Sequence, residues 1–580
     1  MRASIDRIHE AIKAHTNLSL ETGDWAPTPN KALGDFSVPC FKLAKALGKA
    51  PPVVATELAA ALASQLSTLG FSEVRAVGPY LNVFQNVETL YASIKDKLDQ
   101  NPEKFGSLEL GRGKTVVIDF SSPNVAKEIG LHHLRSTAIG NSLARIFKFQ
   151  GYRVERINYL GDWGTSFGKL IEAFKLESKE LGGDAPVEKK LREEGLPYML
   201  DLYVRYNRAE KENPELAANA KAAFRHLEEG RSEYRRIWQL FRGTSIEEIK
   251  KLYSRLDVDF DHYDGESLYE KKLDAAVDEV SSKVGTYVSD GALVCDLPGH
   301  KIPVLLKKND GASLYITRDI VAAEDRFNRF KYDVSLYVVS IQQKLHFQQL
   351  FDLLKQLGKP FADRCEHISY GMLSFGSKTM KSREGNMIVL HDALDEGKKK
   401  ALEIIREKNP ELVGAEAVAE MVGIGAFIFT DLSQNRNHDI RFDWDKALSF
   451  EGDTSGVIQY THARCTSLLE RTNVHRKTLA TPDAKPIAEL LGHEAVRGLL
   501  LAWDGFDLSA EKALVHRDPA QIASATLDIA KAFNQLYHKV RFLDVSSANE
   551  VDLLMMLTSN TQRLLKQGLG LLGIKAPERM

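Results

Sequence analysis

The 580-residue chain has few cysteines and no long apolar run, and each shortage excludes a class of protein. No apolar stretch approaches the roughly 20 residues that cross a bilayer, so we predict no membrane partner. The opening residues, MRASIDRIHEAIKAH, carry acids and a helical period, unlike a secretion signal or a transit peptide. The cysteines lie far apart without a C-x-x-C pair, which argues against a zinc site or a disulfide framework; they are Cys40, Cys295, Cys365 and Cys465. We therefore predict a cytoplasmic protein with no metal site.

The chain also lacks a net charge of either sign. Its 77 lysines and arginines nearly balance 79 aspartates and glutamates, so charge alone neither supports nor excludes an RNA partner. The composition is that of an ordinary globular protein, with 43% hydrophobic and 27% charged residues. A chain of this length exceeds what one core covers, so several domains are expected.

Hydrophobic patterning divides the chain into a mixed region, an α/β region and a helical region. From Lys114 the pattern runs strand, loop, helix and strand, which is typical of a parallel sheet with crossover helices. A charge-dense helical insertion interrupts it, and the runs 292–295 and 334–339 are expected to continue the sheet. We predict a multidomain α/β protein with segments 1–108 (α+β), 109–445 (parallel sheet, insertion near 175–240) and 446–580 (all helix).

One junction concentrates polar chemistry. Residues 121–137, SSPNVAKEIGLHHLRST, lie between an apolar strand and a helix that is predicted to begin near His132. Ligands of parallel sheets collect beyond the carboxyl ends of the strands, and a helix N-terminus there favours phosphate. Lys127, His132 and His133 add donors for phosphate, and Ser122 and Asn124 offer polar groups to a second ligand. A simple cap and turn with a structural histidine pair is the alternative.

Two further segments suit charged ligands. Tyr315 and Asp319 are four residues apart, on one face of a helical turn, and a carboxylate beside a phenol suits a guanidinium. A surface coincidence would give the same spacing. Residues 371–386 form a loop rich in glycine, serine and lysine, which is a type of loop that closes on phosphates.

Taken together, these segments resemble the arginyl-tRNA synthetases, a family of class I aminoacyl-tRNA synthetases. The resemblance runs nearly end to end. It rests on SSPNVAK and HLRST at the junction, GDWGTSFG at 161–168, LYITRD at 314–319, QKLHF at 343–347, QYTHAR at 459–464 and LLGIKAPERM at 571–580. It implies a Rossmann-type catalytic domain, an additional N-terminal tRNA-binding domain and a helical anticodon-binding domain.

The resemblance also implies a reaction and a set of site residues. A monomer would activate L-arginine with Mg²⁺-ATP and transfer it to tRNA(Arg). Arginine would contact Asp119, Ser122, Pro123, Asn124, Tyr315, Asp319 and Gln343. ATP would contact Gly130, Leu131, His132, His133, Lys378, Lys381 and Ser382, with Lys127, His132 and His133 as the catalytic groups. Tyr80 and Asn82 would contact tRNA.

Both phosphate-handling signatures depart from the family pattern. The first reads His-x-Gly-His in the family but Gly130-Leu131-His132-His133 here, and Gly130 is expected to relax the backbone that carries His132. In the second, Thr379-Met380-Lys381 aligns with Lys-Met-Ser, and the later lysine falls on Ser382. Three hypotheses stay open: an active arginyl-tRNA synthetase, a weakened paralogue that binds tRNA or arginine as a regulator, and a ligase for another amino acid or acceptor.

Overall fold

The computed structural model describes residues 1–28, 30–125, 127–307, 315–375, 388–479 and 487–580. The chain forms two compact units. The first combines Met1–Glu109, Ala401–Ser433 and Asp445–Met580, and the second combines Leu110–Lys400 with Gln434–Trp444. The N-terminal and C-terminal segments share one unit, which also includes residues 401–433 of the segment predicted to form the α/β domain.

The N-terminal segment packs helices on a small antiparallel sheet. Its elements are α1 (Arg2–Thr16), β1 (Ala26–Pro27), β2 (Phe36–Pro39), α2 (Phe41–Leu47), α3 (Pro51–Leu62), α4 (Leu66–Leu69), β3 (Phe71–Val77), β4 (Tyr80–Gln85) and α5 (Val87–Gln100). The strand order is β1-β2-β4-β3. Ile5, Ile8 and Ile12 recur at helical spacing on α1 and are fully buried, so this face holds the helix in the core.

The second unit is built on a four-stranded parallel sheet of order β11-β10-β5-β6. Val116, Val117 and Ile118 of the interior strand β5 are fully buried, as a sheet covered on both faces requires. The predicted parallel sheet is confirmed. The elements are β5 (Thr115–Asp119), α6 (His133–Phe149), β6 (Arg153–Ile157), α7 (Thr165–Glu180), α8 (Asp184–Glu194), α9 (Leu196–Glu212), α10 (Glu215–Glu228), α11 (Ser232–Arg255), α12 (Leu273–Lys283), β7 (Tyr287–Ser289), β8 (Ala292–Cys295), β9 (Val304–Lys307), α13 (Tyr315–Phe330), β10 (Val334–Ser340), α14 (Lys344–Gln356), β11 (Cys365–Tyr370), β12 (Leu373–Phe375), α15 (Leu390–Lys408, whose residues from Ala401 belong to the first unit) and β13 (Ile440–Phe442).

Two features differ from the sequence-based expectations. The run 292–295 forms β8 of a separate antiparallel sheet with β7 and β9, and is not part of the parallel sheet. A tight turn at Asp290 and Gly291, both with positive φ, joins β7 to β8 and leaves no room for a crossover helix. The helical insertion spans α7 to α11, wider than 175–240, because its outer turns bury apolar residues such as Phe167 that charge density does not reveal.

The rest of the first unit is helical throughout its described residues, as predicted for the C-terminal segment. Its helices are α16 (Ala415–Leu432), α17 (Trp444–Ala447, which begins at the unit boundary), α18 (Ser455–Arg476), α19 (Ala488–Leu491), α20 (Glu494–Asp504), α21 (Phe506–Val515), α22 (Ala520–Lys539) and α23 (Ala548–Leu571). The guanidinium of Arg497 on α20 donates two 2.7 Å hydrogen bonds to the buried carboxylate of Asp35. Among the helices described, we find none with the length and apolarity to cross a membrane.

Candidate active site

The predicted junction lies at the carboxyl end of the parallel sheet. β5 ends at Asp119, which pairs with Tyr337 of β10, and α6 begins at His133 with His132 at its N-cap. Ser121 and Ser122 have φ values of 71° and 38°, a region that non-glycine residues rarely occupy. Such strain is typical of functional turns. Among the described residues at this junction, the positive φ values belong to these serines and not to Gly130, and the expected relaxation at Gly130 stays a prediction.

A buried hydrogen-bond network holds this strained turn. The backbone N–H of Ser121 donates to Ser136 Oγ at 2.9 Å, and its hydroxyl lies 2.7 Å from Thr137 Oγ1. Tyr253 donates to Ser121 Oγ at 2.8 Å and accepts from Asn158 at 3.0 Å. The strand end is therefore fastened to the first turns of α6, which fixes the position of the histidines.

Asp119 is already paired inside the protein. Arg326, on α13, lies 2.7 Å from its carboxylate, and both side chains are buried. Ser122 donates to the same carboxylate at 3.1 Å. Burial raises the pKa of Asp119, and the guanidinium of Arg326 opposes that rise. Sequence reasoning missed Arg326, because no local motif connects a residue of α13 to the end of β5.

Asn124 lies against the GDWG segment. Asn124 forms a parallel bridge with Gly161, whose N–H donates to Pro123 O at 3.1 Å. A Cβ atom at position 161 would lie 2.3 Å from Asn124 Oδ1, so only glycine leaves the amide in place. The side chains of Ser122 and Asn124 are exposed, whereas Pro123 is buried. The predicted arginine contacts at 122 and 124 are thus accessible.

The predicted guanidinium pair sits at the start of α13. Tyr315 is the first residue of the helix and 67% exposed, and Asp319 follows one turn later. His346 Nε2 donates to the Asp319 carboxylate at 2.7 Å. Gln343 is exposed at the end of the short 3-10 turn Ile341–Gln343 that follows β10. His346 belongs to the QKLHF motif, but spacing alone does not reveal that it holds Asp319.

The surroundings of Asp319 are acidic. Burial raises the pKa of Glu266 to about 7, the charge of Arg318 at 3.7 Å opposes the rise, and Asp162 and Asp319 add to it. The charge of Asp319 also contributes to the raised pKa of Asp119 and of Tyr159. The Tyr159 hydroxyl is buried and has no hydrogen-bond partner among the described residues. Cationic side chains accompany this group, namely Arg326 at Asp119, Arg242 at Asp162 and Arg318 at Glu266.

The predicted phosphate side is formed by the first turn of α6. The rings of His132 and His133 lie 4.0 Å apart, and His133 Nδ1 donates to Gly130 O at 3.2 Å. Burial lowers the pKa of His133 to about 4, with His132 contributing, so His133 is neutral at pH 7. Lys127 is exposed, and its backbone N–H donates to Asn124 O at 3.3 Å. Lys127 thus offers an exposed amino group at this turn.

The first signature is joined to the segment that follows the second signature. Gly130 forms an antiparallel bridge with Val389, and the N–H of buried Leu131 donates to Ile388 O at 2.8 Å. Leu390 N–H donates back to Ile129 O at 2.9 Å. The predicted ATP contacts of the second signature lie outside the described residues; they are Lys378, Lys381 and Ser382.

The two predicted tRNA contacts differ in exposure. Tyr80, the first residue of β4, is 44% exposed. Asn82 is 3% exposed, and its amide donates to Arg75 O and Tyr80 O, both at 3.4 Å. Tyr80 therefore presents a ring at the surface, while Asn82 holds the β3–β4 turn.

A cavity of about 620 Å³ lies in the helical part of the first unit. The guanidinium carbon of Arg464 lies 4.8 Å from the ring centroids of both Tyr460 and Tyr537. Residues of the last segment, Arg579 and Met580, form part of the wall. Sequence reasoning quoted QYTHAR as a motif but did not place a site on it, because Tyr537 comes from another helix.

Two side chains of the QYTHAR motif on α18 bind the backbone of the last segment, residues 571–580. Gln459 Nε2 donates to Lys575 O at 2.8 Å, and His462 Nδ1 donates to Pro577 O at 2.9 Å. Both side chains are fully buried. They therefore fix the residues that line the cavity.

Comparison with known proteins agrees with this arrangement over the whole chain. Residues 94–444 match the family model of tRNA synthetases class I (R), catalytic domain. Residues 458–580 match the DALR anticodon binding domain, and residues 3–85 match the arginyl tRNA synthetase N terminal domain.

Individual relatives give the same result. The chain is 40% identical over 553 residues to the arginine–tRNA ligase of Alkaliphilus metalliredigens, covering 95% of this chain and 94% of the relative. It is 38% identical over 577 residues to that of Clostridium kluyveri, covering 98% and 99%. Its fold is similar to Thermus thermophilus arginyl-tRNA synthetase, with a TM-score of 0.80, 25% identity and 100% of both chains covered.

The parallel sheet and the helix that follows β5 thus belong to a class I tRNA synthetase catalytic domain. The chain belongs to the arginyl-tRNA synthetase family.

Proposed function

We propose that the protein is a ligase that uses ATP to activate L-arginine and transfers it to tRNA(Arg). The observation that carries the proposal is a group of carboxylates that includes Asp319 and Glu266, near enough to the end of β5 for Asp319 to raise the pKa of Asp119, while the N-terminus of α6 follows the same strand. The carboxylates suit the guanidinium of arginine, and the N-terminus of α6 suits the phosphates of ATP. The family to which the chain belongs supports the same reaction.

In the first step, an oxygen of the arginine carboxylate attacks the α-phosphorus of ATP. The bond between the α-phosphorus and the bridging oxygen breaks, pyrophosphate leaves, and arginyl-adenylate remains. The protein contributes position and charge and forms no covalent bond. Tyr315 and Asp319 orient the guanidinium, while Ser122, Asn124 and Gln343 contact the other end of arginine. Mg²⁺ enters with ATP as part of that substrate.

Lys127 and the N–H groups of α6 face the negative charge that develops on the phosphates. Neutral His133 uses its Nδ1–H on Gly130 and leaves Nε2 as an acceptor. A bound triphosphate raises the pKa of His133, because an anion favours imidazolium. His132, whose ring lies 4.0 Å from that of His133 at an interplanar angle of 39°, supplies a second imidazole in place of the histidine that the family has at position 130.

In the second step, a hydroxyl of the terminal tRNA ribose attacks the carbonyl carbon of the adenylate, and AMP leaves. Tyr80 and the cavity around Arg464 are two places where unpaired tRNA bases would stack, because aromatic and guanidinium planes accept bases of any identity. The DALR anticodon binding match covers this cavity's helices. We also propose that the protein acts as a monomer in the cytoplasm.

The test is exchange of pyrophosphate into ATP, with and without tRNA, using arginine and other amino acids. We expect arginine-dependent exchange. Lys127→Ala should lower its kcat about tenfold or more, because one charged contact is worth roughly 1.5–3 kcal/mol. Lys148→Ala, an exposed lysine at the other end of α6, should leave it unchanged.

The altered signature provides the discriminating variants. His132→Gly alone should reduce kcat less than Lys127→Ala, and Gly130→His with His132→Gly should keep or raise activity. A wild-type protein without exchange, rescued by that double change, would favour the weakened paralogue. Exchange driven by a different amino acid would favour the third hypothesis.

A further inference from the structure

Arg135 is a buried cation that the proposed mechanism does not use. It lies on α6, two residues after His133, and is 1% exposed. Its guanidinium donates to His438 O at 2.9 Å and to Arg436 O at 3.1 Å, and Met372 O lies 3.5 Å away. It also lies over the ring of Tyr370, 5.7 Å from the centroid. A guanidinium suits several carbonyls at once because its donors form a rigid plane.

The carbonyls that Arg135 holds belong to a joint between two distant segments. Gly371 N–H donates to Arg436 O at 2.9 Å, and Ile440 N–H donates to Met372 O at 2.8 Å. Met372 N–H donates to Asp439 Oδ1 at 2.6 Å. These bonds lead directly into the parallel pairing of β12 with β13. Arg135 therefore fixes the backbone from which β12 begins.

β12 leads into the second signature segment, and residues 388–390 follow that segment. Residues 388–390 pair with residues 129–131, at the start of the first signature. Arg135 holds the side of β12, one helical turn further along the same junction. Among the residues that the structure describes, the backbone after the second signature is thus attached to the first junction by strand-like pairing, and the backbone before it is attached through Arg135.

We propose that Arg135 is a positioning residue for ATP: it sets the place of β12 relative to the N-terminal turn of α6. The proposal rests on the proposed function, because it assigns ATP to this turn. It differs from a purely structural role in one respect. A structural arginine affects the amount of folded protein, whereas a positioning residue for ATP changes the KM of ATP and leaves that of arginine unchanged.

The experiment compares Arg135→Met, Arg135→Lys and Arg145→Met with the wild type. Arg145 is a matched control because it lies on the same helix and donates to the backbone O and carboxylate of Asp257, at 2.6 and 2.7 Å. We measure the KM of ATP, the KM of arginine and kcat in pyrophosphate exchange, together with thermal unfolding of each full-length variant.

We expect Arg135→Met to raise the KM of ATP about tenfold or more, with the KM of arginine within twofold. Arg135→Lys should give an intermediate value, since lysine keeps the charge but not the planar fork. Arg145→Met should leave both KM values unchanged. If Arg135→Met does not fold, Arg135→Lys provides the test: its KM of ATP should rise while its KM of arginine stays within twofold of the wild type.

Equal increases in both KM values, or a loss of active protein with both unchanged, would overturn the proposal. If wild-type protein shows no exchange, the proposed function fails separately, and calorimetric binding of ATP to the intact protein then tests Arg135. In that assay, Arg135→Lys with wild-type ATP affinity would contradict the positioning role.

Discussion

At the scale of single residues, the proposed arginine site contains carboxylates whose charge depends on their neighbours. Asp319 is held by His346, and Asp119 by Arg326. The i, i+4 spacing of Tyr315 and Asp319 suggested a guanidinium site from the sequence, and that assignment stays a prediction. Glu266 and Arg326 could not be predicted, because pairs of charges far apart in the chain leave no local pattern.

The first prediction concerns Asp319. Replacing it by Asn removes the charge opposite the guanidinium but keeps the size of the side chain. We expect the KM of arginine to rise about ten- to a hundredfold, as the loss of a charge-assisted hydrogen bond of roughly 1.5–3 kcal/mol implies, with weaker discrimination against citrulline. Steady-state kinetics with both amino acids measure this.

The control is Asp325→Asn, on the same helix, where the carboxylate accepts hydrogen bonds from Tyr269 and Arg329. Its KM for arginine should stay at the wild-type value. Unchanged kinetics in Asp319→Asn would remove the pair from the arginine site.

The second prediction concerns pH. The pKa of Glu266 is raised to about 7 in the folded protein, from an ordinary value of 4.5. Between these two values the unfolded chain has lost the proton that the folded chain retains, so stability falls as pH rises from 4.5 through 7. Glu266→Gln cannot ionise and should escape this loss. The Tm of Glu266→Gln relative to that of the wild type should therefore be higher at pH 8 than at pH 5.

Glu193→Gln, on the exposed side of α8, serves as the reference and should show no such pH-dependent gain. A constant Tm difference between Glu266→Gln and the wild type at both pH values would show that Glu266 is ionised in the folded protein throughout.

At the scale of elements, glycine at position 161 connects the GDWG segment to the junction. A methyl group there would lie 2.3 Å from Asn124 Oδ1, so Gly161→Ala must displace the amide of Asn124. We expect kcat/KM for arginine to fall about tenfold or more, with a small change in Tm. Gly243→Ala should cost no activity, since a Cβ at this position of α11 meets no atom within 4 Å. Wild-type kinetics for Gly161→Ala would mean that Asn124 does not contact arginine.

The sequence allowed the central elements to be predicted, but not all of the connections. The buried runs of β5 and β10 and the start of α6 follow from local pattern, because an apolar strand and a helix N-terminus have distinct residue preferences. The separate sheet that contains β8 does not follow from local pattern, because a short apolar strand has the same sequence pattern in a parallel and an antiparallel sheet. Nor does the strain at Ser121 and Ser122, which depends on the network that holds them.

At the scale of the whole molecule, the chain order conceals how the segments associate. Met1–Glu109 and Asp445–Met580 form part of one unit, in which Arg497 neutralises the buried carboxylate of Asp35. Such a contact joins residues from opposite ends of the sequence, so periodicity and motif spacing cannot reveal it. The first unit therefore carries both of the surfaces proposed for tRNA, the Tyr80 strand end and the cavity around Arg464.

The last prediction tests those two surfaces together. Stacking of a base on an aromatic side chain is worth roughly 1–3 kcal/mol, so Tyr80→Ala and Tyr537→Ala should each weaken tRNA binding about fivefold to a hundredfold. The two losses should add in the double variant if the rings contact separate bases. Binding of arginine to the free protein should not change.

Tyr287→Ala is the control, because Tyr287 is exposed to the same 44% as Tyr80 but lies on β7 of the other unit. Filter binding of tRNA(Arg) at fixed salt measures the affinities, since phosphate contacts make them depend on salt. Wild-type affinity in Tyr80→Ala would leave that residue with the structural role of finishing the small sheet, and wild-type affinity in Tyr537→Ala would exclude the cavity as a base-binding site.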